Sequence, residues 1–219
     1  MTDFALARRN MIDGQLRPNR VTNAALLAAI GELARERFLP ESLRAVAYAD
    51  EDVPLGGGRY LMEPMVLARL IQTLQPQTDD RALVIGAGRG YGAALLARLV
   101  KAVTAVENDA ALAAAGGQIA KDIGLGDIQW IVGKLEHGAA AAAPFDVILV
   151  EGGVQEIPQT ILDQLAEGGR LAVILARPAG VVGVAQLFVK EGGVTSGRPL
   201  FEASAALLPS FAPVPKFTF

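Results

Sequence analysis

The sequence predicts an α/β fold: a mostly parallel central sheet with helices on both faces, preceded by a helical N-terminal segment. Three observations carry this. Between residues 80 and 190, short apolar runs alternate with helix-like segments, the pattern of βαβ units. The apolar runs are nearly continuous, as strands covered on both faces are. The first of them, "ALVI" at 82–85, ends in glycines at alternate positions, Gly86, Gly88 and Gly90, followed by a small-residue segment that favours a helix.

The strands are expected at 82–85, 102–106, 128–132, 145–150 and 170–175, with "AQLFVK" at 185–190 as a possible edge. The helices between them are expected at 91–100, 109–123 and 156–166. In the N-terminal segment, Ala25, Leu26, Ala29, Ile30 and Leu33 repeat at helical spacing, with Thr22 or Asn23 as N-cap. "PMVLARLIQTL" at 64–74 reads as a helix with Pro64 at its first position. "PLGGGRY" at 54–60 reads as a loop, because three consecutive glycines weaken a regular element. Residues 191–219 read as an irregular tail, with Phe211, Phe217 and Phe219 anchoring it to the body. Residues 1–79 are thus a helical, cleft-forming segment packed on a core of residues 80–219, one compact domain overall.

Composition narrows the chemistry. A chain of 219 residues is ample for a real core. Its hydrophobic content of 52% is inflated by alanine, and no run of about 18 uncharged apolar residues marks a membrane span. The N-terminus lacks the apolar core and small-residue cleavage site of a signal peptide, so the cytoplasm is the expected location. With no cysteine, disulfides, thiolate metal sites and cysteine nucleophiles are excluded. One histidine, His137, leaves no histidine-built metal site, and no metal is expected. A net charge of −3 offers no general attraction to nucleic acid, and the early arginines Arg8, Arg9, Arg17 and Arg20 are diluted by acids.

Glycines at alternate positions allow positive φ and let a ligand approach with no Cβ in the way. The helix that follows aims its N-terminal N–H groups at that ligand. Position 91 is Tyr91, so the pattern is G-x-G-x-G and the dinucleotide fingerprint G-x-G-x-x-G is not met. No Lys-Ser/Thr pair follows, so this is not a P-loop. The next strand ends in Glu107 ("AVTAVEND"), whose carboxylate can accept hydrogen bonds from two ribose hydroxyls. Ribose binding serves NAD and S-adenosylmethionine alike; the glycine spacing favours S-adenosylmethionine.

Several stretches in order resemble the protein-L-isoaspartate O-methyltransferases, a branch of the S-adenosylmethionine-dependent methyltransferases. They are "RERFLPESLRAVAYADEDVPLGGG", "ALVIGAGRGYGAALLARLV", "AVEND" and "APFDVILVEGGVQEIPQTILDQLAEGGRLAVIL". The resemblance spans about Met11 to Leu175, and the closing "LPSFAPVPKFTF" is similar to the tail of some bacterial members. It implies a Rossmann-like methyltransferase fold. The implied activity moves the sulfonium methyl of S-adenosylmethionine to the α-carboxylate of isoaspartyl residues in damaged proteins or peptides. By the same resemblance Gly86, Ala87, Gly88, Tyr91, Glu107, Lys134 and Leu135 hold the cofactor, and Gly57, Gly58 and Glu63 frame the substrate. Met62 stands where the family places a catalytic hydroxyl.

Three positions depart from the family pattern. Val84 stands where an acid helps orient the glycine loop, Lys134 where an acid meets the adenine amino group, and Met62 where a Ser or Thr hydroxyl lies beside the transferred methyl. Glu63, if turned to the site, repels an anionic substrate. The sequence therefore leaves open an isoaspartyl methyltransferase with weakened cofactor binding, a degenerate family member acting in interaction or regulation, and a methyltransferase of changed substrate. An NAD-dependent oxidoreductase lacks its third glycine and an obvious proton donor. The sequence does not fix an oligomeric state.

Overall fold

The computed structural model describes residues 3–177 and 181–211. Its helices are α1 (Phe4–Met11), α2 (Ala24–Glu32), α3 (Pro64–Leu74), α4 (Tyr91–Ala97), α5 (Ala110–Asp122) and α6 (Gln159–Leu162). Its strands are β1 (Val53–Gly56), β2 (Arg59–Leu61), β3 (Arg81–Ile85), β4 (Ala102–Glu107), β5 (Gln129–Val132), β6 (Phe145–Val154), β7 (Leu165–Leu175), β8 (Val184–Glu191) and β9 (Val194–Glu202). β1 and β2 form a hairpin, and the rest form one sheet in the order β5-β4-β3-β6-β7-β8-β9. The five strands from β5 to β7 run parallel, and β8 and β9 return antiparallel.

Side chains alternate across the sheet as the strand period of two requires. Val84, Leu149, Ala172 and Ile174 point to the face covered by α2, α3, α4 and α5. Leu83, Ile85, Ile148, Val150, Leu171 and Val173 point to the other, where Leu135, Phe145 and Ile161 cover them. β3 lies between β4 and β6, so the chain leaves the sheet in opposite directions on its two sides. A crevice outside the strands' C-terminal ends at such a point is where α/β proteins place their ligands.

The helix starts follow from local chemistry. Asn23 caps α2, its Oδ1 accepting from the Leu26 amide at 2.9 Å, which settles the choice between Thr22 and Asn23. Asp109 caps α5 in the same way through the amides of Ala111 and Leu112. α3 opens on Pro64 and closes at Gln75, which takes a left-handed φ of 48°.

Three expectations are corrected. Residues 54–60 are not a loop: Gly57 and Gly58, with φ of 58° and 72°, make the turn that β1 and β2 need, and the flanking residues pair from Val53↔Leu61 inward. Residues 191–219 are not irregular throughout, because Gly192 and Gly193 turn the chain with φ of 58° and 76° and β9 follows. The helix expected over 156–166 is confined to α6, because the chain after it returns to the sheet; the Phe145 amide donates to the Gln164 carbonyl at 2.8 Å and Leu165 pairs with Phe145. Phe211 is buried against the sheet, whereas Phe217 and Phe219 lie outside the described residues.

One contact under the glycine loop is decided by space. A Cβ at Gly116 would overlap the Trp130 ring, and a Cβ at Gly90 would lie 2.8 Å from the same ring. In a helix interior alanine is favoured over glycine by about 1 kcal/mol, whereas overpacking costs about 1–3 kcal/mol. Overpacking should win. Gly116→Ala is expected to lower stability in urea denaturation, and in a Trp130→Ala background most of that loss should disappear, leaving only the 3.1 Å approach to the Arg89 backbone carbon.

Candidate functional site

The crevice is bounded by the glycine loop after β3, the tip of β4 and the tip of β6. Gly86, Gly88 and Gly90 all have positive φ, at 75°, 55° and 89°, and Gly90 is the residue from which α4 springs. The amides of Gly86 and Ala87 donate to the Val106 carbonyl at 2.9 and 3.1 Å, which pins the loop to the end of β4.

Glu107 is wholly buried at that strand end. Its carboxylate accepts the Gly88 amide at 2.6 Å, the Asn108 amide at 2.9 Å and the Asp109 amide at 3.1 Å. It also accepts the Arg59 guanidinium, with Nη2 at 3.2 Å and Nε at 3.3 Å. Arg59, itself 3% exposed, donates from Nη2 to the Gly86 carbonyl at 2.5 Å. A buried charge needs such partners, and each ion here satisfies the other.

The chain's own residues fill the rest of the crevice. Leu55 Cδ1 lies 3.0 Å from where a Gly88 Cβ would be, and Leu208 Cδ2 lies 3.2 Å from the same point at Gly86. Residues 203–211 cross the tip of β6: the Gly153 amide donates to the Ala206 carbonyl at 2.8 Å, and the Leu208 amide donates to the Gly153 carbonyl at 2.9 Å. Leu208 sits where a side chain at Gly152 would be. Between hairpin, tail and β6 there remains a cavity of about 10 Å³, lined in part by Asp52, Arg59, Met62 and Glu151.

The other residues singled out by sequence fall as follows. Val84 is fully buried on the helix-covered face of β3, where an acid would need its own buried partner. Met62 is buried at the cavity wall, its carbonyl held by Arg35 Nη2 at 2.6 Å. Tyr91 faces inward, edge-on to Phe38 at 5.2 Å and beneath the Arg35 guanidinium at 4.9 Å. Lys134 is exposed and precedes a short turn in which Leu135 is buried, with His137 exposed at its end. Gly57 and Gly58 form the hairpin tip, facing Asp109 and Pro209 at 3.6 and 3.5 Å. Glu63 is half-buried, its amide donating to Asp52 at 2.7 Å. Partial burial, with Asp50 and Asp52 nearby, pushes its carboxyl up to about 7, so its charge is only partly expressed at neutral pH.

Sequence reasoning missed Arg59, Glu151 and Leu208. Nothing local distinguishes an arginine after three glycines or a leucine in a tail. Glu151 had a signal: it follows the apolar run of β6 as Glu107 follows that of β4.

The residues present fit the polar part of S-adenosylmethionine, since a positive-φ glycine loop and a strand-tip carboxylate meet at one point. The space does not fit in this closed arrangement. Ligand pockets for molecules of this size run to about 300 Å³ or more, and here the hairpin and tail occupy that volume.

The family model for protein-L-isoaspartate(D-aspartate) O-methyltransferase (PCMT) matches residues 7–201. The chain belongs to this family. A protein named protein-L-isoaspartate O-methyltransferase 1 from Rhodopseudomonas palustris (strain HaA2) is 38% identical over 189 residues, 86% of this chain and 76% of its own. A protein-L-isoaspartate O-methyltransferase from Methylorubrum populi is 41% identical over 180 residues, 82% of this chain and 84% of its own. A solved protein-L-isoaspartate O-methyltransferase superposes with a TM-score of 0.82 at 26% identity, over 93% of this chain and 67% of its own. A putative Plasmodium falciparum PCMT, solved in complex with S-adenosyl-L-homocysteine, superposes with a TM-score of 0.77 over 96% of this chain and all of its own; at 18% identity that likeness is one of fold.

Within this PCMT-family crevice the Glu151 carboxyl is the least compensated group. It is 3% exposed, its Oε1 has no hydrogen-bond partner, and it fills the space a side chain at Gly92 would take. Burial pushes it up to about 8 from an ordinary 4.5, with Arg59 pulling the other way and Glu107 adding to the rise. The folded state therefore binds a proton that the unfolded chain releases between those two values, and stability falls as pH rises through that window. Glu151→Gln keeps the shape without the titration. It should flatten the decline in melting temperature expected of the wild type between about pH 4.5 and pH 8.

Proposed function

We propose that the protein transfers the methyl group of S-adenosylmethionine to the α-carboxylate of isoaspartyl residues in proteins or peptides. The observation that carries this is Glu107: a buried carboxylate at the tip of β4, locked by the Gly88 amide to a positive-φ glycine loop, in a chain of the PCMT family. The cofactor supplies an electrophilic sulfonium methyl.

The chain's own part is binding and placement. Glu107 would accept from ribose hydroxyls, the loop of Gly86, Ala87 and Gly88 would border the cofactor's chain, and the turn at Lys134 and Leu135 would flank its base. Tyr91, packed from behind, braces the start of α4. Gly57 and Gly58 shape the substrate cleft, with Glu63 at its edge. No residue need remove a proton, because a carboxylate with a pKa of about 4 is already the nucleophile at neutral pH. What remains is to align the attacking oxygen, the methyl carbon and the sulfur and to exclude water. The absence of cysteine and the exposed position of His137 therefore cost the reaction nothing.

Two features weaken cofactor binding in this reading. The hairpin and the tail must draw back from the crevice, and Lys134 offers a donor where the resemblance implies an acceptor. Met62 leaves the reacting carboxylate without a hydroxyl at that position. The net charge of −3 offers no general attraction to nucleic acid, and among the described residues no helix is long and apolar enough to cross a membrane.

The test pairs binding with transfer. S-adenosylhomocysteine should bind in calorimetric titration, and labelled methyl from S-adenosylmethionine should pass to an isoaspartyl peptide but not to its aspartyl isomer. No heat at millimolar ligand together with no transfer would remove the reading.

A further inference from the structure

Arg59 occupies a position that the proposed reaction leaves unexplained. It is buried and paired with the carboxylate assigned to the cofactor, and it borders the cavity that also holds Met62. The bonds of Glu107 show why the two roles conflict. An ionised carboxylate has about four lone-pair sites. Three are taken by the amides of Gly88, Asn108 and Asp109, which are fixed by the backbone. Arg59 brings two more donors, Nε at 3.3 Å and Nη2 at 3.2 Å, which more than fill what is left. A hydroxyl can reach Glu107 only where the guanidinium leaves.

A guanidinium displaced inside a protein needs another anion, because it cannot shed its charge. Around the small cavity the other ionisable side chains are Asp52, Glu151 and the distal Tyr60 hydroxyl, so Arg59 is its one lining cation among the described residues. Asp52 is already engaged by the Glu63 amide at 2.7 Å, and burial pushes the Glu151 carboxyl up to about 8, so it carries its proton at neutral pH. The incoming substrate group is itself a carboxylate, and a guanidinium is shaped to hold one in a forked geometry.

We propose that Arg59 is a switched substrate-binding residue: it seals Glu107 while the crevice is closed, and once a ligand takes Glu107 it holds the substrate carboxylate beside Met62. This rests on the methyltransferase reading above. It accounts for two of its difficulties together, the filled crevice and the loss of a hydroxyl at position 62. It also makes the two ligands cooperative, since a ligand on Glu107 releases the cation that the substrate requires. By thermodynamic linkage the effect is reciprocal.

The experiment measures both ligands on the whole chain. In wild type, an isoaspartyl peptide should bind at least about tenfold more tightly with saturating S-adenosylhomocysteine than without it, the usual scale of such couplings. Equal affinity in the two conditions would overturn the proposal without any variant. Arg59→Gln removes the seal and the cation together, so its two effects should have opposite signs. S-adenosylhomocysteine should bind more tightly, and the KM for the isoaspartyl peptide should rise about tenfold or more, the scale of one lost charge-assisted bond. Arg59→Lys keeps the charge without the fork and should recover only part of the peptide affinity, with a KM between those of wild type and Arg59→Gln. Tighter S-adenosylhomocysteine with an unchanged KM would make Arg59 a seal and nothing more, and weaker S-adenosylhomocysteine in a variant that melts as wild type would make it a brace. Either overturns the proposal while the methyltransferase reading stands. Absence of binding and transfer in wild type as well would instead remove that reading, and the switch with it.

Discussion

The carboxylate of Glu107 and the groups gathered around it hold the functional end of the molecule together. Three backbone amides from two segments converge on it, and the guanidinium of Arg59 neutralises it. The amide of Gly88 ties the glycine loop to β4. The bond from Arg59 to the Gly86 carbonyl ties the β1–β2 hairpin to the same loop. A buried ion pair contributes little net stability against an apolar alternative, but breaking one by removing a partner is costly, about 3–5 kcal/mol. Such a pair makes a good latch. It is weak in sum, yet hard to open except by a ligand that replaces one half of it.

The rest of the crevice is closed by apolar groups that depend on the same glycines. Leu55 and Leu208 come close to the backbone of Gly88, Gly86 and Gly152 because those residues have no side chain. A residue that lets a ligand approach the backbone lets the chain's own side chains approach it too. The tail adds backbone bonds at Gly153, so it crosses the tip of β6 as an extra, very short pairing. The scaffold and its closure are therefore built from one set of small residues. The small residues that would admit a ligand here admit Leu55 and Leu208 instead.

Much of the scaffold was legible because it depends on periodicity. The apolar runs of β3, β4, β6 and β7 and the small-residue face of α4 read correctly within a few residues, since burial on both faces leaves few other patterns open to a parallel strand. The hairpins were harder. The rule that glycines weaken regular structure is true of element interiors. At 57–58 and 192–193 the glycines supply the positive φ that joins two antiparallel strands, and the strands are specified by what lies either side. Val84 shows a different limit. Residue identity and spacing say only that an acid is absent there, whereas packing shows where the side chain goes, into the helix-covered core, where valine needs no partner.

By itself the sequence determined the class of fold, the glycine loop, the strand-tip carboxylate and the family, because each rests on residue identity and on spacing along the chain. Only the tertiary structure decided what Glu107 is bound to. Arg59 lies 48 residues from it in sequence, Leu208, which closes over Gly86, is further still, and no local pattern places either at the crevice. Whether a crevice is open or closed depends on which distant side chains reach it. That is a property of packing in space, where a guanidinium within 3.2 Å of a buried carboxylate outweighs any preference written in the segments that carry them.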